Sequence, residues 1–377
     1  MKRSQSSRLK QNQKKMKKIT NLSILVLILF LGACSAPRVV SKADFSDAST
    51  TASSGKLIYH LPTTVVNIKV TAQKVTEKRG PYYRYSERYL NLSDIITEDR
   101  EYWEITEAVI FTSGNPDPEK SFSIAAQGIP AGAAVNLTPD GTLLGFNSSF
   151  DKGFHKTSEP TNDSSKKVDE INFNDIPFTE EQLIKTSSAA TAEEVAAAIY
   201  DIRETRRRLL EGDVKNLPPD EGSYRRILEG LDRMEEQYLS LFKGKKQTQT
   251  TTKTFTFTPD ITASANQVLF RFSGQKGFTQ IDDMTGTPVY IEVVNHEATE
   301  NNKIQVNPKE RTGMIYCKPG KATVKVIDRT KLLTEENVLL GQFGSLHTMP
   351  PSLLDNPNTS VQMDPATGAI LNIRVQE

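Results

Sequence analysis

Between positions 66 and 73 the side chains Val66, Asn67, Ile68, Lys69, Val70, Thr71, Ala72 and Gln73 alternate apolar with polar, and this period of two constrains the fold more than any other feature. Successive side chains of a strand point to opposite faces, so such a segment buries one face in a core and shows the other to water. Trp103, Ile105, Val109 and Phe111 repeat the pattern, and further strands are expected at Thr254–Pro259, Val268–Phe272, Val289–Val293, Ala322–Ile327 and Ala369–Val375. In Leu137-Thr138-Pro139-Asp140-Gly141-Thr142-Leu143-Leu144 the proline presets a turn and the glycine accepts a positive φ, which reads as a hairpin. Val361 to Leu371, with Pro365 and Gly368, places the same residue types in the same order, a hint that two β blocks are distant duplicates. The expected fold class is mainly β with an α-helical hairpin: two antiparallel, sandwich-like β domains separated by an αα-hairpin.

The helices carry their own punctuation. Thr191 with Glu194 three residues later matches a capping box, and Val195, Ile199, Ile202 and Leu209 follow on one face. Gly212 and then Pro218-Pro219 end this helix. A second begins near Asp220 and sets Tyr224, Leu228, Leu231, Tyr238 and Leu241 on one side, with Gly230 weakening it by about 1 kcal/mol relative to Ala. A loop this short makes the two helices antiparallel neighbours. The mature chain therefore divides into an N-terminal β domain (57–150), a polar linker (151–178), the helical hairpin (179–244) and a C-terminal β domain (245–377), with a Lys, Gln and Thr tract after Gly244 leading into its first strand.

Residues 1–33 read as a signal peptide rather than structure. Eight basic residues from Lys2 to Lys18, without an acid, precede an apolar run from Leu22 to Ala33 broken only by Ser23. That run is too short for the roughly 20 residues a membrane-spanning helix needs. Met16-Lys17-Lys18 would make a more ordinary start, with no consequence for the mature protein. Leu31-Gly32-Ala33-Cys34 resembles the bacterial lipobox, so Cys34 is the expected site of lipidation and the membrane is reached through acyl chains. Residues 34–56, rich in Ser, Ala and Thr, are expected to form a flexible tether.

Removing eight basic residues from a chain of net charge +1 leaves a mildly acidic protein with no basic tail, so nucleic acid is not an expected partner. Cys317 is then the one cysteine left, which rules out an intramolecular disulfide and puts stability on packed cores.

Chemistry-bearing motifs are sparse. The four histidines, His60, His155, His296 and His347, fall in separate regions, and neither metal nor cofactor is expected. Asp282-Asp283 and Asn115-Pro116-Asp117-Pro118-Glu119 read as solvated turns rather than calcium loops. Gly344-Ser345-Leu346-His347 lacks the strand–turn–helix setting of a hydrolase serine, and Gly274-Gln275-Lys276-Gly277 lacks the phosphate-loop spacing. Cys317 shares a strand face with Ile315 and reads as a buried structural thiol. No catalytic residue is expected, although a carboxylate dyad for glycoside cleavage would leave no local signature.

Candidate ligand-binding residues are Tyr82, Tyr83, Arg84 and Trp103, within the group Tyr82, Tyr83, Tyr85, Tyr89, Tyr102 and Trp103 flanked by Arg84 and Arg88. Such a platform would stack on a glycan, and the same residues would equally fill half-buried faces. Arg203, Arg206, Arg207, Arg208, Arg225, Arg226 and Arg233 form a ridge read as a solvated face, with Glu204 and Arg208 as an i,i+4 pair.

A set of phrases carries a resemblance: Tyr59-His60-Leu61-Pro62-Thr63-Thr64-Val65-Val66, Ile202-Arg203-Glu204-Thr205-Arg206, Phe255-Thr256-Phe257-Thr258-Pro259, Val268-Leu269-Phe270-Arg271-Phe272-Ser273, Tyr316-Cys317-Lys318-Pro319-Gly320 and Asp364-Pro365-Ala366-Thr367-Gly368. Together they resemble an uncharacterised lipoprotein family of Bacteroidetes-type bacteria, known as a domain of unknown function, over nearly all of the mature chain. Cys317 stands where a basic residue would be expected, and the basic head is longer than usual. The resemblance implies lipid anchoring to the outer membrane. Ser35-Ala36-Pro37-Arg38 lacks the acidic residues that mark exported relatives, which implies the periplasmic face. It supplies no catalytic residue. The function expected is a non-catalytic binding or envelope-assembly role with an envelope protein as partner, the alternatives being a glycan-binding accessory protein or a hydrolase with an unrecognised acid dyad.

Overall fold

The computed structural model describes residues 43–45, 56–125, 135–147, 170–215, 220–260, 266–296, 314–349, 356 and 358–375; the expected signal peptide, Cys34 and most of the expected tether lie outside them. The fold is mainly β and is organised around one very long hairpin, β2 (Lys56–Lys78) with β3 (Arg100–Ala125). β1 (Ala43–Phe45) pairs with β3, and β6 (Lys245–Phe257) pairs with β2, giving the antiparallel order β1-β3-β2-β6. A second sheet runs β11 (Lys331–Thr348), β10 (Ile315–Asp328), β9 (Thr287–Asn295), β7 (Gln267–Ser273) and β8 (Gly277–Thr279). A third runs β13 (Ile370–Val375), β12 (Thr359–Met363), β5 (Leu143–Phe146) and β4 (Val135–Leu137).

The long strands serve two cores because they change face part-way. The β2–β3 register shifts between His60 and Pro62, where one residue of β2 opposes the loop-out 117–120 of β3. A bulge of this kind moves the inward set from one parity to the other. Before it, Tyr59 and Leu61 enter a core with Phe122, Leu143, Met314, Ile315, Cys317, Val361 and Met363. After it, Val66, Ile68, Val70 and Ala72 face Phe270, Val289, Ile291, Val324, Val326 and Phe343 of the second sheet. β10 and β11 repeat the device between Lys318 and Gly320. Each fully buried Val, Ile or Phe contributes about 1.5–3 kcal/mol, and these two clusters hold the sheets together.

A helical layer closes one end. α1 (Ser86–Leu90) lies in the β2–β3 connection, and α2 (Glu180–Ile184), α3 (Ser188–Glu211) and α4 (Glu221–Lys243) precede β6. Contacts between Leu209 and Tyr224, Arg206 and Asp232, and Arg203 and Glu235 show that α3 and α4 run in opposite directions. Val195, Ile199, Ile202, Tyr238, Leu241 and Phe242 form their core, with Leu90 and Ile176 from the adjoining segments.

Several expectations need correction. The strands do not sort into separate N- and C-terminal β domains: β6 lies against β2, and β12 against β5. Periodicity fixes which face of a strand is buried, not which strand lies beside it. The Lys, Gln and Thr tract is itself part of β6, its threonines pairing with β2 across Thr71 and Thr252. Ser187 caps α3, accepting from the Ala190 N–H, whereas Thr191 sits inside the helix and donates to the Ser187 carbonyl. The capping box belongs instead to Thr179 and Gln182 of α2. Gly212 with φ 75° and Asp220 bound to Ser223 N–H do mark the helix ends expected of them.

The two short hairpins are tied to the long ones in the same way. The His60 N–H donates to Gly141 O at 2.9 Å, and the Cys317 N–H donates to Gly368 O at 2.9 Å. Both glycines have positive φ, 80° and 72°. A long bulged hairpin followed by a short Pro-and-Gly hairpin therefore occurs twice, which supports the duplication hinted at by Pro139 and Pro365.

Candidate functional site

Surface features concentrate where the helical layer meets the ends of β2 and β6. The last four carbonyls of α4 have no intrahelical partner, and here the surrounding fold supplies donors. Tyr82 N–H reaches Leu241 O at 2.9 Å, Ser86 Oγ reaches Phe242 O at 3.1 Å, Ile96 N–H reaches Lys243 O at 2.9 Å, and Gly244 N–H reaches Ser240 O at 2.8 Å. Gly80 makes this approach feasible: a Cβ there would lie 2.2 Å from Leu241 O.

Beside the junction lies an open groove of about 820 Å³, lined on one side by Glu235, Gln237 and Lys243 and on the other by Asn172, Asp175 and Lys246. Arg206 stands in the apolar stripe of α3 between Ile202 and Leu209, binding Asp232 and, at 2.7 Å, Glu235. Arg203 also reaches Glu235 at 2.7 Å. The two guanidiniums outweigh partial burial and hold the Glu235 carboxyl below the usual carboxylate range. At the groove's sheet end, Glu77 accepts from Arg100 at 2.5 Å and lies 3.5 Å from Lys246. The Arg100 hydrogen bond lowers the Glu77 pKa. Glu77, Arg100 and Lys246 belong to three different strands, so no local motif could have revealed them.

The aromatic candidates are not brought together. Tyr82 packs toward the helical core, its ring centroid 5.7 Å from that of Phe242. Tyr83 and Arg84 line a recess of about 380 Å³ with Arg79, Asp99 and Phe173. Arg79 and Arg84 lie 5.5 and 5.6 Å from the Tyr83 ring centroid, and the Arg84 Nε–H donates to Tyr83 Oη at 3.0 Å, which lowers the phenol pKa. Trp103 belongs to the other core: its side chain is half-buried against the sheet sandwich, and its backbone N–H donates to Gly274 O at 2.7 Å. Gly274-Gln275-Lys276-Gly277 is the seat of this ring, for a Cβ on Gly277 would come within 2.8 Å of it.

The α3 half of the ridge of arginines, Arg203 to Arg208, is charge-matched. Arg207 bridges Glu204 and Glu211, each at 2.6 Å, so Glu204 pairs at i,i+3 with Arg207 and not with Arg208, which lies 3.6 Å from Asp213. Two serine–histidine contacts occur among the described residues. His60 Nδ1 lies 2.8 Å from Ser121 Oγ, but that hydroxyl donates to Pro118 O at 2.7 Å, so the imidazole is the donor and cannot act there as base. Ser345 and His347 meet at 2.8 Å on one strand face, beside Tyr316. Among the described residues no cluster of three His, Cys, Asp or Glu side chains could hold a metal ion.

A family model described as a domain of unknown function, DUF4831, matches residues 55–371. The chain belongs to this family. No curated protein and no solved structure matches it. The DUF4831 match begins at the edge of β2 and ends within β13, so it takes in the helical layer and every described strand except β1 and the end of β13.

Cys317, in the DUF4831 core, is 3% exposed, and burial pushes its thiol up to about 11. The thiolate is the nucleophile, so folded protein at pH 8 should react with thiol reagents roughly two orders of magnitude more slowly than unfolded protein. Timed alkylation with and without denaturant checks this, and equal rates would show the sulfur to be accessible.

Proposed function

We propose that the chain is a lipid-anchored, non-catalytic binding or assembly protein of the cell envelope, held at the outer membrane through Cys34 and facing the periplasm. The lipobox-like Leu31-Gly32-Ala33-Cys34 supports the anchor. The observation that carries the binding role is the outer side of the helical pair. Ile227 and Met234, one above the other on α4, are 43% and 41% exposed, and Leu210 at the end of α3 is 63% exposed. Exposed apolar side chains one above the other on a helix favour contact with a protein surface. The glycan-binding reading keeps Tyr83 and Arg84 in their recess and loses Trp103 as a neighbour.

Two measurements in one strain test the proposal. Cys34→Ala should move the protein from membrane to soluble fractions, and continued sedimentation with membranes would remove the anchor. A photo-crosslinker placed at Met234 should give one discrete adduct in intact cells, absent when the same group is placed at Glu229 on the other side of the helix. No adduct from Met234, or the same adducts from both positions, would end the binding role.

A further inference from the structure

We infer that β13 is a contact between two copies of this chain, paired antiparallel across a twofold axis that passes through Ile373. The inference stands apart from the reading of the helical pair, because it rests on the edge of a different sheet. β13 is the terminal strand of the order β13-β12-β5-β4, so one row of its backbone donors and acceptors has no neighbour among the described strands. Free edges are normally guarded by brevity or by charge. β1, β4 and β8 are three residues each. β6 carries Lys245, Lys246 and Lys253, and β11 carries Lys331, Glu335 and Glu336. β13 instead carries Leu371, Ile373 and Val375, which are 52%, 41% and 57% exposed, and a single charge, Arg374.

These apolar side chains are not on a random face. Ile373 lies directly opposite Val361, and Val375 opposite Thr359. Directly opposed residues share a face, and Val361 is fully buried in the core beneath. Ile373 and Val375 therefore continue that core's own face past the last strand, where nothing among the described residues covers them, and exposed Leu371 stands at the bulge between the Asn372 and Ile370 pairs.

The strand is complementary to itself in one register. With the axis at Ile373, Leu371 meets Val375 of the second copy, Ile373 meets Ile373, and Arg374 meets the amide of Asn372. The three exposed apolar side chains are then opposite one another, the half-buried Ile370 falls beyond the paired stretch, and the cation faces a neutral acceptor. Moving the axis to Arg374 opposes two guanidiniums, which destabilises a pair. Moving it to Asn372 takes exposed Val375 out of the apolar set, against Ala369, and sets Ile370 against Arg374. Registers centred between residues oppose the two faces and are excluded by the pleat. An isologous pairing of this kind is what a closed dimer requires.

Cysteine scanning of the full chain in its native membrane tests the register. On oxidation Ile373→Cys should form a covalent dimer several-fold above wild-type, since residues opposed on the axis have Cα atoms within disulfide reach, about 4.4–6.8 Å. Asn372→Cys and Arg374→Cys should stay near the wild-type level, because each is displaced from its own copy to roughly 8 Å. A mixture of Leu371→Cys and Val375→Cys chains should cross-link to each other although neither does so alone, which keeps the test intact should Ile373→Cys fold poorly. Absence of dimer from both Ile373→Cys and the mixture overturns the contact. Equal dimer from positions 372, 373 and 374 overturns it as well, showing random collision rather than a register.

Discussion

Gly80→Ala is expected to destabilise the protein by about 3–5 kcal/mol, through overpacking and the loss of caps worth about 1 kcal/mol each. The added Cβ would lie 2.2 Å from Leu241 O and 2.5 Å from Leu241 C, and both atoms are backbone, so no rotamer change relieves the clash. Relief requires α4 to move away from the end of β2. That displacement would break the hydrogen bonds from Tyr82, Ser86 and Ile96 to the last turn of the helix. Gly230→Ala supplies the contrast. A Cβ at position 230 meets nothing within 4 Å, so replacing a mid-helix glycine there should stabilise by about 0.5–1 kcal/mol. Urea unfolding combined with amide exchange in 82–96 and 238–244 reads both. Gly80→Ala within about 1 kcal/mol of wild-type, with protection unchanged, would show that the junction is not the constraint described.

The second large effect is expected at Gln342. Its side chain imitates a strand: Oε1 accepts from Thr64 N–H at 3.1 Å, while Nε2 donates to Thr64 O at 2.9 Å and to Pro259 O at 3.2 Å. Thr64 is fully buried and Gln342 is 8% exposed. Gln342→Ala strands these groups away from water, at about 1–3 kcal/mol for each, so a total loss near 3 kcal/mol is expected. Gln342→Glu gives the sign. Its carboxylate would face two carbonyl oxygens in a buried site, so its folded-state pKa would rise above the unfolded value. The penalty is then present when the group is ionised and shrinks as pH falls through that raised pKa. Thermal melts of both variants between pH 5 and pH 8 check this, and a Gln342→Glu penalty that does not change with pH would contradict the arrangement.

How legible this was depends on the range of the physics. Period two marked β2, β3, β7, β9 and β10, because each shows one face to a core. The 3.6 period with Gly212 and Asp220 marked the helices, since caps act within one turn. β11 escaped notice because Gly341 and Gly344 look like breakers. Their purpose is long-range: a Cβ on Gly344 would sit 1.9 Å from Lys318 O, and Gly341 N–H binds Thr64 Oγ1. The same holds for the candidate site. Tyr82, Tyr83 and Trp103 are near in sequence, and nothing local says that the connection through α1 sends the tyrosines to the helical layer and the indole to the sheet core. Glu77, Arg100 and Lys246 meet only once three strands are laid side by side.

The double use of the long hairpins limits how this chain can come apart. Because β2, β3, β10 and β11 each run from one core into the other, no cut between elements yields a piece that keeps either core whole. The two cores must therefore melt together and be inherited together, and a loosening substitution at Tyr59 is felt at Val70 through a single continuous strand.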